Sequence, residues 1–143
     1  MRISRLQAEF VEFIPEHLAP GVLYISRRYS TAAHLCCCGC GLEVVTPLNP
    51  AKWHLSERGG KVSLSPSIGN WSLPCQSHYW VEEGLVQWAG AMSPASIAAV
   101  KVRDRKDARI YSRGRAGRLA AFWENFTDAV RTACSRIRRW WSR

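Results

Sequence analysis

The chain has 143 residues, enough for one domain with a real core, and a formal net charge of +9. The charge is confined to one end. Seven Lys/Arg balance seven Asp/Glu over residues 1–100, so the whole surplus lies in residues 101–143. A neutral body makes a poor nucleic-acid groove, because phosphate neutralisation needs clustered cations.

Other classes fall as quickly. No stretch reaches the roughly 18 consecutive apolar residues of a transmembrane helix. Residues 1–15 carry Glu9 and Glu12, lack an apolar run with a small-residue cleavage site, and do not read as a secretory signal. A hydrophobic content of 47% with seven Trp excludes a disordered body. A cytoplasmic location is expected. In a reducing compartment the six Cys are better read as metal ligands or reactive thiols than as disulfides.

Along the chain, residues 2–18 place apolar side chains at Ile3, Leu6, Phe10, Phe13 and Ile14. They suit a short helix or an extended packing arm, either of them limited by Pro15. From Pro20 the texture changes to short runs bounded by Gly, Pro, Asn and Ser. Strands are predicted at 22–26, 31–37, 42–45, 52–55, 61–65, 77–81 and 85–88. Their even spacing predicts a mostly β small domain, a compact antiparallel sheet. Residues 90–118 hold few apolar anchors and include the basic run KVRDRKDARIYSRGRAGR, which reads as a mobile linker. Over residues 119–143 the period becomes helical. Leu119, Phe122, Trp123, Phe126, Val130, Ala133, Ile137 and Trp140/Trp141 recur at steps of three and four opposite Arg131, Arg136, Arg138, Arg139 and Arg143. The organisation expected is a β-rich domain over 1–89, a basic linker over 90–118 and a basic amphipathic helix over 119–143. The overall class is α+β.

The densest chemistry lies in His34-Leu35-Cys36-Cys37-Cys38-Gly39-Cys40-Gly41, with Cys75-Gln76-Ser77-His78 about 35 residues downstream. Zinc takes four soft ligands in a tetrahedron, and Gly between the cysteines lets the backbone fold around an ion. Such an ion would staple two distant loops of a small domain. Cys36, Cys38 and Cys40 share one face at strand period two, with Cys37 turned away and Cys75 as fourth ligand. A rival set is Cys38, Cys40, Cys75 and His78. Against both stands plain burial of free thiols, which pack as small apolar groups. Cys134 reads as ordinary helix surface or core.

The second cluster is Ser63-Leu64-Ser65-Pro66-Ser67-Ile68-Gly69-Asn70-Trp71. Pro66 and Gly69 predict a tight turn presenting Ser67 beside backbone N–H groups, an arrangement suited to a nucleophile with an oxyanion hole. A serine hydroxyl needs a base within hydrogen-bond reach. His78 is the first candidate and His34 the second, with Asn70, Glu43 or Asp104 as orienting partners. His78 cannot serve both as base and as zinc ligand. Ser77 is the fallback nucleophile, while His54 and His17 read as surface or packing residues. A serine in a Pro/Gly turn more often simply satisfies backbone groups.

Taken together, HLCCCGCG, VVTPL, PSIGNW and CQSHYW resemble the BubE-like family of bacterial ubiquitin-like conjugation (Bub-type) operons. The resemblance runs from about Gly21 to Trp88 and leaves out the basic tail; the extra Cys37 departs from the alternating cysteine pattern. It implies a serine-type peptidase that trims the C-terminus of a ubiquitin-like protein or cleaves its conjugates. Partners would then be that ubiquitin-like protein and its E1/E2-like enzymes. In the acyl-transfer scheme that the residues suggest, Ser67 attacks, His78 shuttles the proton and zinc is structural. Trp53, Trp71, Trp80 and Tyr79 either wall a substrate channel or pack the core.

Two other readings compete. In one, zinc with an open coordination position activates water and makes the protein a zinc-dependent hydrolase. In the other, the domain is a zinc-stabilised protein-binding module without catalysis. The tail helix has three readings: lying on an anionic membrane, binding nucleic acid or an acidic partner, or docking its apolar face on the body.

Overall fold

In the computed structural model the backbone is described for residues 1–141, and side chains through Leu119 together with Phe122 and Trp123. Cys134, Trp140 and Trp141 lie outside the described side chains. Eight strands precede one helix: β1 (Gln7–Phe10), β2 (Val22–Ser26), β3 (Thr31–Leu35), β4 (Glu43–Pro47), β5 (His54–Arg58), β6 (Lys61–Gly69), β7 (His78–Glu82), β8 (Leu85–Trp88) and α1 (Pro94–Trp141). The protein is mostly β, as its sequence predicts, but the strands form two four-stranded sheets instead of one. Their orders are β1-β2-β3-β4 and β5-β6-β7-β8. Every pairing is antiparallel except β1 with β2. The N-terminal arm is extended, with Pro15 outside its strand.

The sheets also touch edge to edge. Arg5 bridges to Leu85 at the β8 edge before the chain continues into β1, and Leu48 bridges to Trp53 where β4 leads into β5. Edges joined in this way are closed to unwanted strand pairing. Strand alternation sends one face of each sheet into a shared core. β4 shows the pattern plainly, with Val44 and Thr46 buried while Glu43, Val45 and Pro47 face out. Leu23, Ile25 and Ala32 from one sheet meet Val62, Leu64, Ile68, Tyr79 and Val81 from the other.

The expected linker differs most from the structure. From Pro94 the chain is continuously helical, including nearly all of residues 90–118. The helix starts behind Ser93, whose Oγ accepts from the Ser96 N–H. Ala, Arg, Lys and Val dominate its early turns, and the first two in particular need no apolar stripe to be helical. Absence of periodic anchors therefore misread a helix as a linker. The chain divides into two compact units, residues 1–104 and 105–143, so the first turns of α1 belong to the β unit. No helix among the described residues is long and apolar enough to cross a membrane.

Candidate functional site

β6 carries the first half of the site. Residues Lys61–Ser65 pair with β5, and the register against β7 slips between Leu64 and Ile68. Ser67 lies in this irregular stretch, within a strand and not in the tight turn expected from Pro66 and Gly69. Leu64 and Ile68, four residues apart, share the buried face and Ser67 turns away from the core, while the irregularity shows at Pro66, exposed between two buried positions. Gly69 pairs with His78 at the start of β7, where Tyr79 and Val81 point inward. His78 therefore shares the outer face of the sheet with Ser67.

The two side chains meet there, His78 Nε2 lying 2.9 Å from Ser67 Oγ. Trp71 and Trp80 flank the imidazole, with ring centroids at 5.0 Å and 5.5 Å. Its Nδ1 is buried without a hydrogen-bond partner among the described residues. None of the three expected orienting residues bonds it. Asn70 is turned to Ser77, Glu43 is exposed on β4, and Asp104 lines the neighbouring cleft. Among the described residues the geometry is that of a serine–histidine pair held by aromatic rings, without a hydrogen-bonded carboxylate.

A cleft of about 260 Å³ opens beside the pair. Pro66, Ser67, Gly69, Trp71 and His78 form one side, and Ala51, Lys52 and Trp53 another. Met92, just before α1, and Val100, Arg103 and Asp104 from its first turns complete it. Sequence reasoning missed Met92, Val100 and Arg103 because it read their segment as a linker. Of the four aromatics considered as channel walls, Trp53 and Trp71 line this cleft and Trp80 packs on His78. Tyr79 is core.

His34 has a different setting. It shares the inward face of β3 with Ala32 and is fully buried, its Nε2 bonded to Tyr79 Oη at 2.8 Å. Burial lowers its pKa from 6.5 to about 4, so the ring is neutral at physiological pH. Burial also raises the Tyr79 phenol well above its usual value.

The cysteines form a second centre. The Sγ atoms of Cys36, Cys38, Cys40 and Cys75 all lie within 4.8 Å of one another. Gly39 makes the turn between them in a left-handed conformation, at φ 85°. Cys36 is 3.4 Å from Cys38 and 3.8 Å from Cys75. Zinc–thiolate bonds of about 2.3 Å in a tetrahedron separate sulfurs by about 3.8 Å, so this donor set fits a structural metal ion. His78 lies outside the group. Cys37 is buried apart from it, and desolvation raises its thiol to about 12.

Ser77 joins the thiols to the core. Its Oγ lies 3.1 Å from Cys36 Sγ and accepts a 2.8 Å bond from Asn70 Nδ2. Asn70 Nδ2 also reaches Tyr79 Oη at 3.4 Å. Burial works to raise the Cys75 thiol, but hydrogen bonds from Ser77, Cys38 and Cys36 bring it down to about 7. Ser77, the fallback nucleophile, is thus enclosed among sulfurs and an amide, with no histidine among its hydrogen-bond partners.

Fold and site define a small, mostly β protein with a serine–histidine pair on its outer face and a four-cysteine cluster behind it. A family model described as bacterial ubiquitination-like system serine protease (BubE) matches residues 10–89, and the chain belongs to that family. No curated protein and no solved structure matches it.

Proposed function

We propose that the chain is a serine peptidase that cleaves at the C-terminus of a ubiquitin-like protein or of its conjugates, with Ser67 as nucleophile, His78 as general base and a structural zinc on Cys36, Cys38, Cys40 and Cys75. The observation that carries this reading is the 2.9 Å contact between Ser67 Oγ and His78 Nε2 beside an open cleft. Ser67 Oγ attacks the scissile carbonyl while His78 Nε2 takes its proton. His78 returns that proton to the departing amine, leaving an ester on Ser67. Water then attacks the ester, again through His78, releasing the carboxylic acid and free enzyme. With no carboxylate on Nδ1 among the described residues, Trp71 and Trp80 are the groups that orient the imidazole.

The tail of a ubiquitin-like protein is an extended strand, which suits addition to a sheet edge. β6 runs four residues, 66–69, past its last pairing with β5, and the cleft opens along this stretch. An all-thiolate donor set suits a soft tetrahedral ion, for which zinc, which has no redox chemistry of its own, is our reading. Four thiolates leave it no open position for water, which supports a structural role over a zinc hydrolase. The enzymes that conjugate the ubiquitin-like protein are natural partners, and a cytoplasmic location, where thiols stay reduced, goes with this reading.

The test is labelling and turnover of the intact zinc-loaded protein. A serine-directed phosphonate should modify Ser67, and Ser67→Ala should abolish both labelling and cleavage of a ubiquitin-like precursor. Full-rate processing by Ser67→Ala would overturn the assignment. Cleavage that stops on chelation while the fold persists would favour the zinc hydrolase.

A further inference from the structure

Two cations from separate parts of the chain line the cleft beside the Ser67–His78 pair. Lys52, half-buried, comes from the β4–β5 connection, and Arg103 from the third turn of α1. Ordinarily such residues would be solvated surface charges. Here Lys52, half-buried, and Arg103, exposed, line one concave wall with Trp53, Trp71 and Met92, where a charge on a bound peptide would meet both. Asp104 is the one acid among the lining residues, and no ion pair joins it to Lys52 or Arg103 among the described residues. The cleft therefore has an excess of positive charge on an otherwise neutral body.

The wall is attached to the site. Lys101 Nζ donates to the Trp71 carbonyl at 3.5 Å, and the Trp71 ring packs against His78 at a tilted angle. This links the first turns of α1 to the imidazole's own support. The family match ends at residue 89, so Met92, Val100, Arg103 and Asp104 lie beyond the part of the chain that carries the family likeness. Arg103 thus comes from outside the matched segment, whereas Lys52 lies inside it with Ser67 and His78.

We propose that Lys52 and Arg103 are specificity-determining residues that select a peptide bearing a carboxylate next to the bond that Ser67 would attack. This rests on the peptidase reading for its cleavage readout but not for its binding readout. The carboxylate has two sources, an Asp or Glu side chain near the scissile bond or the free C-terminus of a short extension. An arginine fork suits either, and a lysine adds a point charge.

Fluorescent decapeptides in matched sets test it with the intact, zinc-loaded chain. One pair differs by Glu against Gln beside the junction, the other by free acid against C-terminal amide. Binding is followed by anisotropy to Ser67→Ala, and cleavage by mass spectrometry with the unaltered protein. We expect a carboxylate-bearing peptide to bind about tenfold tighter than its neutral twin and to lose that advantage at high salt. Whichever pair shows the difference identifies the source. Arg103→Glu and Lys52→Glu should each cancel or reverse the preference, and Arg103→Lys should keep part of it. Equal binding of all four peptides, no binding by any, or a preference that survives both charge reversals would overturn the proposal. If the preference is present in binding but no peptide is cut, the carboxylate site stands and the peptidase reading fails.

Discussion

Trp71 covers the bare Cα of Gly69 so closely that a methyl group there would lie 2.4 Å from the indole Cε2 and Nε1. The same indole packs at a tilted angle against His78, and Gly69 is the residue paired with His78 across β6 and β7. The missing side chain at position 69 is thus what lets the ring lie against the imidazole. Gly69→Ala should push Trp71 aside, at a cost of about 1–3 kcal/mol in stability. Under the peptidase reading it should also lower kcat/KM by about 100-fold, because small displacements of a catalytic group are expensive. Denaturant melts and peptide kinetics on the same variant check both, and unchanged kinetics would show that the indole contact does not orient His78.

His34 should make the protein acid-sensitive in a defined window. Its folded pKa is about 4, below the unfolded 6.5, because burial disfavours the charged ring. Between these values the unfolded chain binds a proton that the folded chain does not. The contribution is therefore complete above pH 6.5, declines as pH falls towards 4 and levels off below, by about 3 kcal/mol in all. Unfolding free energies of the protein and of His34→Gln at pH 7, 5.5 and 4.5 isolate it from other groups. The gap between the two should shrink as pH falls, and a gap that widens would contradict the buried neutral ring.

The four-cysteine cluster should hold one zinc per chain. Cys36→Ser and Cys75→Ser are each expected to lose stoichiometric metal, as measured by elemental analysis. Loss of a structural metal is among the few changes that cost more than about 4 kcal/mol, so both variants should melt far below the parent. Cys37→Ser, altering a buried thiol apart from the group, should keep its zinc. Equal metal content in all three proteins would remove the site.

Asn70 ties the cysteine loops to the interior through Ser77 and Tyr79. Asn70→Ala leaves two buried hydroxyls short of a donor and should cost about 1–3 kcal/mol. Zinc content should be unchanged, since the amide is not a ligand. A variant as stable as the parent would mean that water replaces the amide at both hydroxyls.

Much of this was legible before the structure. β2 and β8 occupy the residues predicted, and β3, β4 and β7 depart by only one or two at their ends. Short apolar alternations bounded by Gly and Pro announce strands wherever one face is buried. Two segments misled. The Pro66–Gly69 stretch looked like a turn because Pro and Gly usually punctuate one, but here the chain bulges and stays in β6. Residues 94–118 looked like a linker because helices are recognised by an apolar stripe, and a largely exposed helix does not need one.

The sequence by itself determined a mostly β body, a cysteine set with alternate spacing, a serine and a histidine of matching chemistry, and the division of charge between body and tail. All of these follow from residue type and local period. Tertiary structure alone decided which histidine meets which serine. His78 is the first candidate base on paper and His34 the second, but only the fold separates them: alternation turns His34 inward to Tyr79, while Ser67 on β6 and His78 on β7 meet on the outer face of their sheet. Nor could local pattern reveal that the first turns of the basic segment wall the same cleft, because the contact of Lys101 with Trp71 spans thirty residues and depends on where the helix packs.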